Sequence, residues 1–193
     1  MAAPLSRAVV VDAARAMIAE VGLEAVSLRG LSASLGVTAP ALYAYVADKH
    51  DLLRAVAEVE FTRLIEIFDA IDEPEPIDRL RAYSRAYIDY ALGNPALFRT
   101  MFLFPPDAVF AGLAEDVPAA SKAFEVPLVA IAEAVASGEL PPGTDQRMTA
   151  LTLWTTTHGV ADVLLLGIAF DPDLAEQLIA AVLDTTLAGL RRP

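Results

Sequence analysis

The chain has 193 residues, a hydrophobic content of 55%, a mean hydropathy of +0.48 and a formal net charge of −12. That composition excludes the polar, charge-rich makeup of disordered chains, and the length allows one ordinary domain or a small head on a larger body. Cysteine is absent, which excludes disulfides and thiolate metal sites and leaves nothing to argue for an oxidising compartment.

The pattern is helical almost throughout. Val10, Ala13, Ala14, Met17, Ile18 and Val21 recur at three- and four-residue steps, which predicts an amphipathic helix over about 6–21, ended by Gly22. Ser27 is a natural N-cap for a short helix from Leu28 to Leu35, and Gly36 breaks that helix. Thr38 stands where it can cap a third helix with Pro40 in its first turn, where a missing N–H costs nothing. This helix is short and aromatic and is expected to run to about Tyr45–Val46. Asp48 then caps a long helix carrying Leu52, Leu53, Val56, Phe61, Leu64, Ile67, Phe68 and Ile71.

Beyond Pro74 and Pro76 a helix is expected from about Ile77 to Leu92, with Leu80, Tyr83, Tyr87 and Ala91 on one face. Gly93-Asn94-Pro95 stops it and starts another, to about Phe104. After Pro105-Pro106 a short helix to Glu115 is expected, then one over about Ala119–Ser137, with Pro127 as either a kink or a break. Helices over about Asp145–Ile168 and Pro172–Arg191 close the chain. No alternating β-branched pattern competes, and there is no repeat or low-complexity segment. The fold class is all-α. The apolar stretch Ala8–Val11 is cut by Asp12, well short of a signal-peptide core. The run Val163–Phe170 is too short for a bilayer, which needs about 20 residues. A soluble, cytoplasmic protein is the expectation, with no membrane partner.

The charge is segregated. Residues 1–54 hold Arg7, Arg15, Arg29, Lys49 and Arg54 against Asp12, Glu20, Glu24, Asp48 and Asp51, so residues 55–193 carry the whole −12. An acidic body repels DNA and a neutral head does not. Three helices, the second and third separated by Gly36-Val37-Thr38, suit a helix-turn-helix head at 1–54. The turn needs a small residue where the helices cross, which Gly36 supplies. The third helix needs an inner face, Leu42 and Val46, and an outer face that meets base edges: Thr38, Ala39, Ala41, Tyr43 and Tyr45, with Lys49 placed for a phosphate.

At these residues the chain resembles a known family. Residues 7–54, above all Leu35-Gly-Val-Thr-Ala-Pro-Ala-Leu-Tyr-Ala-Tyr-Val-Ala-Asp-Lys49 followed by Asp51-Leu-Leu, resemble the TetR family of bacterial repressors. The resemblance implies a helical homodimer that binds double-stranded operator DNA and responds to a small ligand. It matches Ser27 and Arg29 to positions that meet phosphate or a base. It matches Thr38, Ala39, Pro40, Ala41, Tyr43 and Tyr45 to the recognition helix, and Lys49 to a phosphate-binding lysine. Plainer readings stand beside these: Tyr43 as a core wedge whose hydroxyl reaches a phosphate, Ser27 as a cap alone, and His50 as a solvated helix-start residue. Ala39, Ala41 and Ala44 are small where relatives carry larger groups, so few side chains can make bidentate base contacts. Readout is expected to lean on Arg29, Thr38, the tyrosines and DNA shape.

Residues 55–193 are read as the ligand-binding and dimerisation domain. One head buries too little DNA for tight binding, and such heads work in pairs about 34–36 Å apart. The last two helices are the expected homodimer interface, because Val160–Ile168 is apolar nearly all round and Leu174, Leu178, Val182, Leu183, Leu187 and Leu190 give the final helix a broad apolar face. The alternative is an unusually apolar monomer core. Tyr83–Phe102 and Trp154-Thr-Thr-Thr-His158-Gly159 resemble the Trp-His-Gly type of TetR-family C-terminal domain. Tyr87, Phe98, Met101, Phe102, Trp154, Thr157 and His158 are the candidate lining of an effector cavity, which points to an apolar or aromatic molecule. The same stripe also reads as ordinary core. His158, with Asp162 four residues on, is either an orienter for ligand or a satisfied core histidine.

No enzyme constellation appears. The two histidines lie far apart, Ala47 and Thr155 stand where a Glu-x-x-His motif needs glutamate, and no Gly-rich phosphate loop or nucleophile elbow is present. No catalytic residue, metal site or cofactor is expected. Two further alternatives stay open: a helical small-molecule-binding protein with weak or lost DNA binding, and an activator on the same fold.

Overall fold

The computed structural model describes residues 4–103, 117–168 and 170–191. Every regular element among them is helical: α1 Arg7–Val21, a 3-10 turn Leu23–Ala25, α2 Leu28–Ser34, α3 Ala39–Leu42, α4 Lys49–Asp69, α5 Pro76–Gly93, α6 Pro95–Met101, α7 Pro118–Ser137, α8 Gln146–Leu165 and α9 Pro172–Leu190. Among the described residues no helix is long and apolar enough to cross a membrane. The short helix expected between Pro106 and Glu115 lies outside the described residues.

The chain divides into two compact units: Met1–Thr62 with Asn94–Ala120, and Arg63–Gly93 with Ser121–Pro193. In the first unit Ser6 caps α1 by accepting the Val9 N–H, and Val10, Val11, Ala14 and Ile18 form its buried face. Gly22 ends the helix at φ +82°, where its N–H reaches the Ile18 carbonyl at 2.9 Å. α1 packs on α2, on the 3-10 turn and on α6. Its polar side carries a buried pair: the Arg15 guanidinium donates to the Glu60 carboxylate of α4, which no solvent reaches. Phe98 and Phe102 pack with their rings tilted by 59° and centroids 4.9 Å apart, and Phe102 meets Phe61 edge-on at 5.7 Å.

α3 ends earlier than periodicity suggests. It holds four residues and stops at Leu42; the Tyr45 N–H then turns back to the Leu42 carbonyl at 2.9 Å, a tighter i→i+3 closure. The Thr38 side chain makes no cap bond; its carbonyl takes the Ala41 N–H at 2.9 Å. Gly36 is required for a different reason from the one expected. Nothing lies within 4 Å of where a Cβ would stand, so crowding is not the constraint; φ is +67°, a conformation that side chains with a Cβ resist.

In the second unit α5 packs on α8 and α9 around Ile88, Val160, Ile179 and Leu183, with Leu164 and Val182 against them. Asp145 caps α8 by accepting the Met148 N–H at 3.0 Å, and Asp171 caps α9 by accepting the Asp173 N–H at 2.9 Å. Arg81 pairs with Asp184 at 2.6 Å and Arg85 with Glu176, both tying α5 to α9 at the surface. α7 neither breaks nor ends at Pro127, although the ring removes one N–H from the ladder. Buried residues on both sides of it, Ala123 and Phe124 before and Ala130, Ile131 and Ala134 after, hold the two halves on one face.

Candidate nucleic-acid interface

The recognition element is held from within and bare without. Leu42 is fully buried and Val46 nearly so, whereas Tyr43, between them, is 57% exposed. Thr38 and Pro40 are exposed, and Ala39, Ala41 and Tyr45 are half-buried. Of the two tyrosines, Tyr43 is therefore the one whose ring stands out, and a core-wedge role would have buried it. Ser27 accepts the Gly30 N–H at 3.1 Å, so it does cap α2, and it stays exposed beside the exposed Arg29. The cap leaves the hydroxyl on the surface, so the two roles expected of it are compatible. Lys49 is half-buried at the first position of α4, behind Asp48, whose carboxylate accepts the Asp51 N–H at 2.8 Å; His50 is exposed. A lysine at a helix N-terminus adds its charge to the positive end of the dipole, which suits an anion such as phosphate.

Sequence spacing gave no sign of the contacts that hold this surface in place. Asp51 accepts from Arg7 through both oxygens, at 2.8 and 3.1 Å, and from the Ala47 N–H at 2.8 Å, while Arg7 also donates to the Tyr45 carbonyl. Arg7 and Asp51 are 44 positions apart, and charged residues so distant in sequence carry no periodic signal.

The seven candidate effector residues fall into both units. Phe98, Met101 and Phe102 belong to the first, where Phe98 and Met101 are buried. Tyr87, Trp154, Thr157 and His158 belong to the second, where Thr157 is buried and the other three form a polar cluster with Asp162. The Tyr87 hydroxyl lies 2.7 Å from His158 Nδ1, His158 Nε2 lies 3.4 Å from Asp162, and the Trp154 ring stacks on the imidazole with centroids 5.4 Å apart. Trp154 also hydrogen-bonds to the Tyr87 hydroxyl. An indole N–H can only donate, so the Tyr87 oxygen is the acceptor from Trp154, and the direction of its bond to Nδ1 follows the imidazole tautomer. Burial pushes the His158 pKa below the ordinary histidine value, against the opposing pull of Asp162.

This arrangement has a pH signature. With its folded pKa below its unfolded value, His158 takes up fewer protons in the native state than in the unfolded chain. Its contribution to stability is present above about 6.5 and falls as pH drops through the window beneath that value. At fixed protein concentration, the thermal midpoint of the wild type should drop more between pH 7.5 and pH 5.5 than that of His158→Gln. A midpoint difference that does not change with pH would show that the imidazole is not held neutral.

The bacterial regulatory protein tetR family description matches residues 10–56, and the tetracyclin repressor-like C-terminal domain matches residues 80–187, more than half of the chain. The second match spans both Tyr83–Phe102 and Trp154–Gly159. An uncharacterized HTH-type transcriptional regulator of Bacillus subtilis, YobS, is 27% identical over 100 residues, 51% of this chain and 52% of its own. The chain thus matches about half the length of that curated relative. A protein with unknown function from Rhodococcus sp. RHA1 is 27% identical and superposes with a TM-score of 0.81 over 98% of this chain and 97% of its own. The TetR family transcriptional regulator PfmR from Thermus thermophilus, 20% identical, shares the fold with a TM-score of 0.66 over 99% of this chain and 100% of its own. With the helix-turn-helix at one end and the C-terminal match covering most of the rest, the chain belongs to the TetR family of ligand-responsive, DNA-binding transcriptional regulators.

Proposed function

We propose that the protein is a repressor that binds a palindromic or pseudo-palindromic operator as a homodimer and leaves it when a small apolar or aromatic effector binds. It performs no catalysis and acts inside the cell. The observation that carries this reading is Tyr43, more than half exposed at the C-terminal cap of a one-turn helix whose last residue, Leu42, is fully buried. A large aromatic ring set outward on a rigidly anchored turn, between Thr38 and Lys49 and in a head of zero net charge, suits contact with a DNA backbone and base edges. Ser27, Arg29, Ala39, Pro40, Ala41 and Tyr45 complete the surface.

A homodimer through α8 and α9 is supported by what those helices leave uncovered. Met148, Thr152, Thr155, Gly159, Val163 and Leu166 are exposed at three- and four-residue steps along α8, Leu166 at 69%. Exposed Leu174, Ala181 and Ala188 follow a similar stripe on α9, with Ile168 between the helices also exposed. Small and apolar residues at helical spacing are what a second pair of helices packs against. In the second unit the Tyr87–His158 pair, flanked by Trp154 and Thr157, provides the polar anchor of an otherwise apolar effector site. The effector releases DNA by favouring a different spacing of the two heads, and must prefer that state by about 1–3 kcal/mol or more.

The test is a titration of the protein against labelled DNA from upstream of its own gene, with scrambled competitor, at two salt concentrations. Sequence-preferring binding that a saturating effector weakens supports the scheme. Equal operator affinity with and without effector defeats the release mechanism. Failure to bind either that fragment or a random-sequence selection library defeats the repressor and promotes a helical ligand-binding protein.

A further inference from the structure

α3 is one turn long, too short to hold its own conformation, because helix nucleation fixes several dihedrals for each bond gained. Leu42 and Val46 set how deep the recognition element sits, but apolar contacts are non-directional and do not set its rotation. Directional bonds that can set rotation form a ring just beyond it. The Tyr45 carbonyl accepts from Arg7, Arg7 donates twice to Asp51, and Asp51 accepts the Ala47 N–H, so the ring closes on the three residues that leave the element. Arg54 adds a fourth donor to Asp51 at 3.2 Å. The guanidinium beside it holds the Asp51 carboxyl well below the usual carboxylate range, so the ring stays charged at any neutral pH.

We propose that Arg7 and Asp51 are positioning residues for operator recognition, fixing the backbone of Tyr45–Ala47 and with it the angle at which Tyr43 and Tyr45 meet DNA. This rests on the DNA-binding reading above and goes beyond it in assigning a role to residues outside the recognition surface. Arg7 is the less obvious of the two: a half-exposed arginine at the start of α1 has the look of a phosphate contact, yet its charge is committed to Asp51. The bidentate geometry orients as well as attracts, which a lysine in the same place cannot do.

The two roles predict opposite signs at Asp51. Removing a negative charge near a polyanion strengthens binding if only electrostatics matter. If the ring positions the recognition element, Asp51→Asn weakens it. Operator affinity would be measured over a salt series for the wild type, Arg7→Lys, Arg7→Ala, Asp51→Asn and the Arg7→Ala/Asp51→Asn double variant, alongside thermal midpoints and affinity for scrambled DNA. With two heads per operator, each single alanine or asparagine variant is expected to lose roughly 10- to 100-fold in operator affinity through its broken charge-assisted bonds. The double variant should lose no more than the worse single, because both break one ring. Arg7→Lys should restore only part, and scrambled-DNA affinity and the salt slope should stay near wild type. Tighter binding by Asp51→Asn overturns the proposal, as does an Arg7→Ala variant that weakens operator and scrambled DNA equally and lowers the salt slope by about one per head. Sequence preference retained at wild-type strength in every variant overturns this proposal alone. A wild type with no sequence preference overturns the regulator reading and this proposal together.

Discussion

Arg15→Leu should be the most damaging single substitution in the first unit, lowering the thermal midpoint by roughly 10 °C at constant protein concentration. The Glu60 carboxylate is fully buried, and the Arg15 guanidinium pairs with it. Removing one partner of a buried ion pair costs about 3–5 kcal/mol. In a chain of this size each kcal/mol moves the midpoint by about 2–4 °C. The reverse substitution is milder. In Glu60→Leu the stranded group is Arg15, which lies nearer the surface and has exposed Asp12 within 3.7 Å. The double variant Arg15→Met/Glu60→Leu should recover most of the loss, because two apolar groups of similar volume replace the pair without a buried charge. Equal losses from the two single variants, or a double variant as unstable as their sum, would show that packing and not charge burial dominates there.

The second large effect is on DNA. Tyr43→Ala/Lys49→Ala should reduce operator affinity by about 1000-fold while leaving the midpoint near wild type. Each contact to phosphate or base contributes on the order of 1 kcal/mol, and the proposed homodimer would make four of them, about 4 kcal/mol in all. Stability is spared because Tyr43 is largely exposed and Lys49 only half-buried, so neither supports the core. Lys49→Ala alone should lower the salt slope by about one per head, since a phosphate contact releases a counterion, and Tyr43→Phe should separate the hydroxyl from the ring. A fluorescence anisotropy titration in a salt series reads all of these. A double variant that binds operator within a few-fold of wild type would move the recognition surface elsewhere on the head.

Much of the architecture was legible in the residues. Three- and four-residue apolar spacing marked α1, α4 and α5, because a helix that buries one face must repeat at 3.6 residues, while Thr38-Ala-Pro40 and Gly93-Asn-Pro95 marked the starts of α3 and α6. Ser6, Ser27, Asp48, Asp145 and Asp171 sit at or just before helix starts, where a short oxygen-bearing side chain meets unpaired N–H groups. Departures occurred where local signals are weakest. α3 lost its last turn to a tighter closure, Thr38 left its capping place empty, and the 3-10 turn Leu23–Ala25 had no pattern long enough to announce it.

The candidate site divides in the same way. The run from Leu35 to Lys49 marked a short turn and helix with an apolar inner face, Leu42 and Val46, because its residues are contiguous, and the structure buries both; that Gly36 serves by its positive φ and not by its size was not legible. Which tyrosine stands outward was a tertiary matter: Tyr43 is exposed and Tyr45 half-buried. The pairing of His158 with Asp162 was legible as one helical turn, i to i+4. The Tyr87 hydroxyl beside its Nδ1 was not, because 71 residues separate them. The Arg7–Asp51 ring and the Arg15–Glu60 pair were likewise invisible, at 44 and 45 residues apart. By itself the sequence determined the all-α class, most of the described helices and the segregation of charge, each a property of neighbouring residues or of simple sums. Only the tertiary structure decided which charges meet and which are buried. Partners across a fold are chosen by packing, and in one sequence packing leaves no periodic trace.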